Sequence, residues 1–290
     1  MGLSKFLSQI PVIKNLFDYT VVPVIRMSGI ISEGQGRRQT LSFEKYQKII
    51  EKAFDIAASD EDKKSAVGFV INSPGGSPAQ SILIADHIRA MAEKKKVRSY
   101  AFVEDVAASG GYWLACACDE IYSTPGSIVG SIGVISASFG FQEIIAKYGI
   151  ERRVYASGKD KSFLDPFMSV KSRDLERIKT LQTDIHDQFK NWVKNRRGEK
   201  LKGKEAELFE GQFWTGEKAK DIGIIDGIGN FNRFFTEKFG EKTLLLDLQP
   251  EKKFFSLPGI MGTQSRLSGE VIMEAIEAME EKSLWQRYGL

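Results

Sequence analysis

Short apolar runs alternate with amphipathic stretches of helical period along the first hundred residues, and this alternation restricts the fold more than any other feature. Val21–Met27 and Ala66–Ile71 are apolar runs of strand length. Between them, Ser42–Ala58 carries Phe43, Tyr46, Ile49, Ile50, Ala53 and Ile56 at helical spacing, with Ser42 placed as an N-cap. Ala79–Lys94 repeats the pattern through Ile82, Ile84, Ala85, Ile88 and Met91, and Val97–Val103 reads as the next strand. Strands separated by helices predict an α/β fold with a mainly parallel sheet. In such sheets, the loops at the carboxyl ends of strands carry function. Two loops qualify, Asn72–Ser77 and Glu104–Gly111, and both are rich in glycine and serine.

Further along, Ala107–Ala117 reads as a buried helix and Ser172–Arg196 as the longest helix, with Ser172 as its N-cap. Leu244–Leu248 reads as a late edge strand. Residues 259–269 are expected to be a linker, followed by a last amphipathic helix through Ile272, Ala275, Ile276 and Met279 and an apolar tail at Leu284–Leu290. The predicted organisation is an amphipathic segment at 1–20, one catalytic domain at 21–250, and a linker with a helical tail at 251–290.

The chain of 290 residues carries a net charge of only +3, with acids and bases interspersed, which argues against a nucleic-acid partner. Cys116 and Cys118 stand one residue apart in an apolar run, a poor geometry for a structural disulfide, and read as buried thiols. With His87 and His186 the only histidines, no metal site is expected. No run of about eighteen uncharged apolar residues suggests a transmembrane helix. Leu3, Phe6, Leu7, Ile10, Ile13 and Phe17 keep helical spacing, broken by Pro11. They are expected to pack on the protein itself in preference to a membrane surface.

Three local features bear on chemistry. Asn72-Ser73-Pro74-Gly75-Gly76 follows a strand, and its glycines let backbone N–H groups face outward, as an oxyanion site needs. Taken alone, it reads as an ordinary turn. Ser109 lies in Ala107-Ala108-Ser109-Gly110-Gly111, at a loop-to-helix junction with small neighbours that leave room for a carbonyl. Taken alone, it reads as an N-cap serine. Lys161, the second lysine of Gly158-Lys159-Asp160-Lys161, reads as a solvated charge. With an ordinary pKa near about 10.4, a lysine can act as a base only where burial depresses that value.

The ordered set is more specific than its parts. The segments INSPGG (71–76), VAASGGYWLA (106–115), STPGSIVGSIGVI (123–135), SGKDKSFLDPF (157–167) and GQFWTGEKAKDIGIIDGIG (211–229) resemble the SppA/SohB family of serine peptidases, the signal peptide peptidases. The resemblance covers about residues 21–230. It implies a ClpP/crotonase-like fold of repeated ββα units. It also implies a Ser–Lys dyad with Ser109 as nucleophile and Lys161, 52 residues downstream, as general base. Ser131 would orient the lysine amine, and the N–H groups of Gly76 and Gly110 would form the oxyanion hole. No metal or organic cofactor is implied. The implied substrates are signal-peptide remnants or other unfolded, hydrophobic peptides. The implied partner is a second copy of the chain, in a tetrameric to octameric ring with dyad residues from adjacent subunits. The family resides on the periplasmic side of the inner membrane, whereas the absence of an apolar leader points to the cytoplasm or a peripheral membrane contact.

Three rival readings are carried forward: a triad of Ser109 with His87 and Asp105, an acyl-CoA-handling crotonase-like enzyme, and an inactive scaffold.

Overall fold

The computed structural model describes residues 19–33, 40–59, 65–158, 161–250, 278–279 and 281–290. The predicted segment at 1–20, the linker at 259–269 and the start of the last helix lie almost wholly outside these residues.

Strand β1 (Thr20–Ser28) is nearly all apolar and buried, and the same holds for β4 (Val67–Ser73) and β5 (Ser99–Ala108). Continuous apolar runs of this kind need cover on both faces, which is what a parallel sheet with helices outside provides. The strand order is β10–β1–β4–β5–β6–β9, with β6 at Glu120–Ser123, β9 at Gly227–Ile228 and β10 at Thr243–Leu248. Every pair along this path is parallel. As expected, Leu244–Leu248 forms an edge strand, paired with β1.

The side-chain alternation of the strands sorts the core into two layers. One face sends Ile25, Met27, Phe69, Ile71, Ala101 and Val103 against α1 (Phe43–Ala58), α2 (Pro78–Lys95) and α3 (Gly110–Ala115). The other face sends Val22, Val24, Val70, Tyr100 and Phe102 against a cluster of phenylalanines that includes Phe235. Two further short strands, β2 (Ile30–Ile31) and β3 (Thr40–Leu41), pair with each other beside the main sheet.

Strand β5 changes partner along its length. Tyr100–Val103 pairs with β6, whereas Val106–Ala108 pairs with β7 (Ile128–Gly130). The switch coincides with a register shift between Ile71 and Ser73 in the β4–β5 ladder. Asn72 spans that irregularity: its amide donates to Asp105 at 2.8 Å and its carbonyl oxygen accepts the Val106 N–H at 3.3 Å.

Three local expectations are corrected. The helix expected from Ala107 begins only at Gly110, because Ala107 and Ala108 pair with Val129 and Gly130 in the sheet. Tertiary pairing here outweighs the helical preference of alanine. Ser42 occupies the N-cap position of α1 but makes no capping hydrogen bond; the Phe43 N–H donates instead to Gln80 Oε1 at 2.8 Å. Ser172 is the first helical residue of the 26-residue helix Ser172–Arg197, and Lys171 precedes it as the cap.

A long arm leaves this body. From Ile135 to Gly158 every residue but Ile145 is exposed, and helix α4 (Gln142–Lys147) buries none of its side chains. Phe139, Ile144, Tyr148, Ile150 and Tyr155 are among the apolar residues it presents, Tyr155 at 92% exposure. Helix α5 (Ser172–Arg197) returns from the arm. Its outer end keeps Leu175 and Leu181 exposed, and only Phe189 and Val193 of its apolar stripe are fully covered.

Both cysteines are free and buried, as read from the sequence. Burial pushes the Cys116 thiol up to about 11 and the Cys118 thiol higher still. Because the thiolate is the reactive form, the native protein is expected to give no colour with Ellman's reagent over minutes at pH 8. Two thiols per chain should react once guanidinium unfolds it. Rapid reaction of either thiol in the folded protein would contradict this burial.

Candidate active site

The site is assembled at the carboxyl ends of β4 and β5, from the two loops singled out above. After β4, Ser73 turns the chain, its hydroxyl accepting the Gly75 N–H at 3.2 Å. Gly75 has φ +102°, and a Cβ there would come within 2.8 Å of Ser109 Cβ. A side chain at this point would therefore displace Ser109 itself. Gly76, at φ +143°, bridges β2: Ile31 N–H donates to Gly75 O at 2.9 Å and Ser77 N–H to Ile31 O at 2.8 Å. These bonds use the neighbours of Gly76 and leave its own N–H without a partner among the described residues.

After β5, Ser109 has φ +52° and ψ −121°, a conformation that non-glycine residues rarely hold. Its N–H donates to Gly130 O at 2.9 Å and its carbonyl accepts the Trp113 N–H at 3.0 Å. Both backbone groups are thus fixed, whereas the side chain makes no capping bond. Ser109 therefore occupies the N-cap position of α3 without the extended dihedrals or the side-chain bond of a capping serine. What remains is a half-buried hydroxyl on a strained, doubly anchored backbone, with the buried Gly110 N–H next to it and likewise unpartnered. Holding such strain costs about 1–3 kcal/mol and persists only where surrounding contacts impose it.

Ser131 follows β7 and also has a positive φ, +54°. Its N–H donates to Gln212 O at 2.6 Å, and Ile132 O accepts from the Gly211 N–H at 3.2 Å. Strand β8 (Phe213–Thr215) runs antiparallel to β7 and supplies this clasp, with Gly130 opposite Phe213. His186 Nε2 lies 3.3 Å from Ile132 O, so this histidine is half-buried against the Ser131 loop. Gly130 thereby links the two serines: its carbonyl holds Ser109, and its chain continues into Ser131.

Lys161 is exposed, in a turn where its N–H donates to Gly158 O at 3.4 Å. Ser109, Gly76, Gly110 and Ser131 thus sit on one framework, while Lys161 is carried on the projecting arm. The triad alternative finds no support in the contacts. His87 packs on Phe43, near Gln47 O and Glu51, and Asp105 is engaged by Asn72. The described residues contain no cluster of histidine, cysteine and acidic side chains suited to a metal ion.

Three contacts had no local sequence signal: His186 on Ile132, Gln212 on Ser131, and Tyr288, whose hydroxyl donates to Ser131 Oγ at 3.2 Å. Each joins residues far apart in sequence.

Comparison with known proteins bears on the family and the fold. The model of peptidase family S49 matches residues 90–244. A protein named Na(+)/H(+) antiporter NhaA, from Brucella abortus (strain 2308), is 46% identical over 280 residues, which cover 93% of this chain and 37% of that one. The chloroplastic serine protease SPPA of Arabidopsis thaliana is 30% identical over 214 residues, covering 73% of this chain and 31% of that one. The chain therefore spans about a third of the length of these curated relatives. Among solved structures, a variant of the 1510-N membrane-bound stomatin-specific protease superposes with a TM-score of 0.50 at 16% identity, over 80% of this chain and 99% of that one. That likeness shows a shared fold, consistent with the ClpP/crotonase-like expectation.

Proposed function

The chain belongs to peptidase family S49, and from that premise we propose that it is a serine endopeptidase in which Ser109 is the nucleophile and Lys161 the general base. The observation that carries the reading is the state of Ser109: a backbone anchored at both ends in a strained conformation, with a hydroxyl free of any capping duty. The N–H groups of Gly76 and Gly110, without a partner among the described residues, support an oxyanion hole, a device whose donors each contribute about 2.7–4 kcal/mol to lowering a barrier.

In the proposed reaction, the neutral Lys161 amine takes the proton from Ser109 Oγ as the oxygen attacks a peptide carbonyl. The oxyanion accepts hydrogen bonds from Gly76 and Gly110, and Ser131 orients the amine. The lysine ammonium then returns its proton to the departing amine, leaving an acyl-serine and a free amino terminus. A water, deprotonated by Lys161, hydrolyses the ester. The substrates proposed are unfolded, hydrophobic peptides, including remnants of signal peptides.

Lys161 in a single chain faces solvent, whereas a catalytic base of this kind works in an enclosed site. We therefore propose that a second copy of the chain covers the arm and completes the site. The number of exposed large apolar residues carried on this one arm supports this, because apolar side chains gathered at a surface favour a partner that covers them. No helix among the described residues is long and apolar enough to cross a membrane, and contact with a membrane is proposed to be peripheral. Transport, named for the Brucella relative, stays with that protein.

Labelling with a fluorophosphonate tests the dyad. Wild type is expected to label, Lys161→Ala to label at least 100-fold more slowly, and Ser109→Ala not at all; equal labelling of all three would remove the assignment. Mixing inactive Ser109→Ala with inactive Lys161→Ala tests the shared site. Recovery of peptide hydrolysis is expected if subunits complete one another, and a mixture as inert as its components would exclude it.

A further inference from the structure

Phe213 is an aromatic residue with no role in the core. It remains 43% exposed, yet the fold fixes it firmly. The antiparallel pairing of β7 and β8 sets Phe213 opposite Gly130, the residue whose carbonyl anchors Ser109 and whose successor is Ser131. Phe213 thus stands beside the proposed catalytic framework because of strand register.

One side chain already rests on it. The Tyr288 ring meets Phe213 edge to face, with centroids 5.2 Å apart and planes at 76°. Its hydroxyl donates to Ser131 Oγ at 3.2 Å. Tyr288 is presented by a closed turn in which the Tyr288 N–H donates to Trp285 O at 3.0 Å and the Leu290 N–H to the same oxygen at 3.3 Å. A ring wall and a hydroxyl acceptor, fixed by neighbouring strands, suit an amphipathic aromatic side chain.

We infer that Phe213 and Ser131 form a subsite for an aromatic side chain of a peptide, tyrosine above all, and that the chain's own Tyr288 occupies it as an internal competitor. This rests on the reading of Ser131 as part of the active site. Ser131 Oγ accepts the tyrosine hydroxyl through a lone pair and keeps its own O–H for the Lys161 amine, so a tyrosine resting on Phe213 is compatible with the proposed dyad. A substrate carrying an aromatic residue displaces Tyr288 and takes its place on Phe213.

The test uses the full chain and a fluorescein-labelled peptide of residues 283–290, SLWQRYGL, with both ends capped, followed by anisotropy. The peptide is expected to bind Tyr288→Ala at least 10-fold more tightly than wild type, because the internal competitor is gone. In that same background, alanine in place of the peptide's tyrosine should weaken binding at least 10-fold, and phenylalanine several-fold. Adding Phe213→Ala to Tyr288→Ala should erase the gain. Equal affinity for wild type and Tyr288→Ala would overturn the inference. Hydrolysis separates it from the peptidase reading. Tyr288→Ala is expected to lower KM for an aromatic-containing peptide with kcat unchanged. If peptides are hydrolysed while the labelled peptide binds both forms equally, only the subsite falls. If the labelled peptide discriminates but no form hydrolyses peptides, the subsite stands and the peptidase reading falls.

Discussion

Ser109→Ala is expected to lower kcat for peptide hydrolysis by about 10⁴-fold or more, the scale seen when a serine nucleophile is removed and only binding and oxyanion stabilisation remain. The backbone at this position adds a second, opposite effect. At φ +52° a Cβ is strained, and glycine removes that strain at the cost of a more flexible unfolded chain. Ser109→Gly is therefore expected to be as inactive as Ser109→Ala while unfolding at a higher urea concentration than the alanine variant, by about 1 kcal/mol in stability. An alanine variant at least as stable as the glycine variant would show that Ser109 is unstrained. The pair of variants thus separates chemistry from conformation at one residue.

The largest expected effect on stability lies away from the site, at Arg197 and Asp226. Arg197 closes α5 and is 4% exposed. Its guanidinium donates to Asp226 Oδ2 at 2.7 Å and, through two other nitrogens, to Gly223 O at 3.1 and 2.9 Å. Asp226 Oδ2 also accepts the Ile121 N–H at 2.8 Å, and Lys200 meets the other carboxylate oxygen at 2.6 Å. The clamp fastens the base of α5 to β6 and to the loop before β9. Removing the carboxylate leaves a buried guanidinium without its counter-charge, a defect that typically costs about 3–5 kcal/mol. Asp226→Ala is expected to lose that much in urea denaturation at pH 7; a loss below about 1 kcal/mol would show the pair to be dispensable.

Burial alone would raise the Asp226 carboxyl, but the hydrogen bond and charge of Arg197 prevail and hold it below the usual aspartate value. A depressed carboxyl contributes its stability above the unfolded value, near about 3.9, and loses it as pH falls through the lower folded value. The wild type should thus be level in stability between pH 6 and 8 with respect to this group and weaken below about pH 4. Asp226→Ala should lack that part of the acid loss.

Several features were legible without coordinates because they depend on local pattern. Apolar runs at strand length and helical stripes marked β1, β4, β5, α1, α2 and the 26-residue α5 within a few residues. The Gly-Gly turn and the Gly-flanked serine marked the two loops that meet at the site. Misreadings fell where tertiary contacts override local preference. Ala107 and Ala108 were drawn into the sheet by β7, and Gln80 took the capping role expected of Ser42.

By itself, the sequence determined the alternation of strands and helices through β5, the mainly parallel sheet and the two loops at its carboxyl edge, because periodicity and turn chemistry act over a few neighbouring residues. The tertiary structure alone decided that Ser109 is held strained and uncapped, that Lys161 rides on an exposed arm, and that Tyr288 rests on Ser131 from 157 positions away. These depend on strand register and on contacts between distant residues, which periodicity over neighbouring residues does not encode.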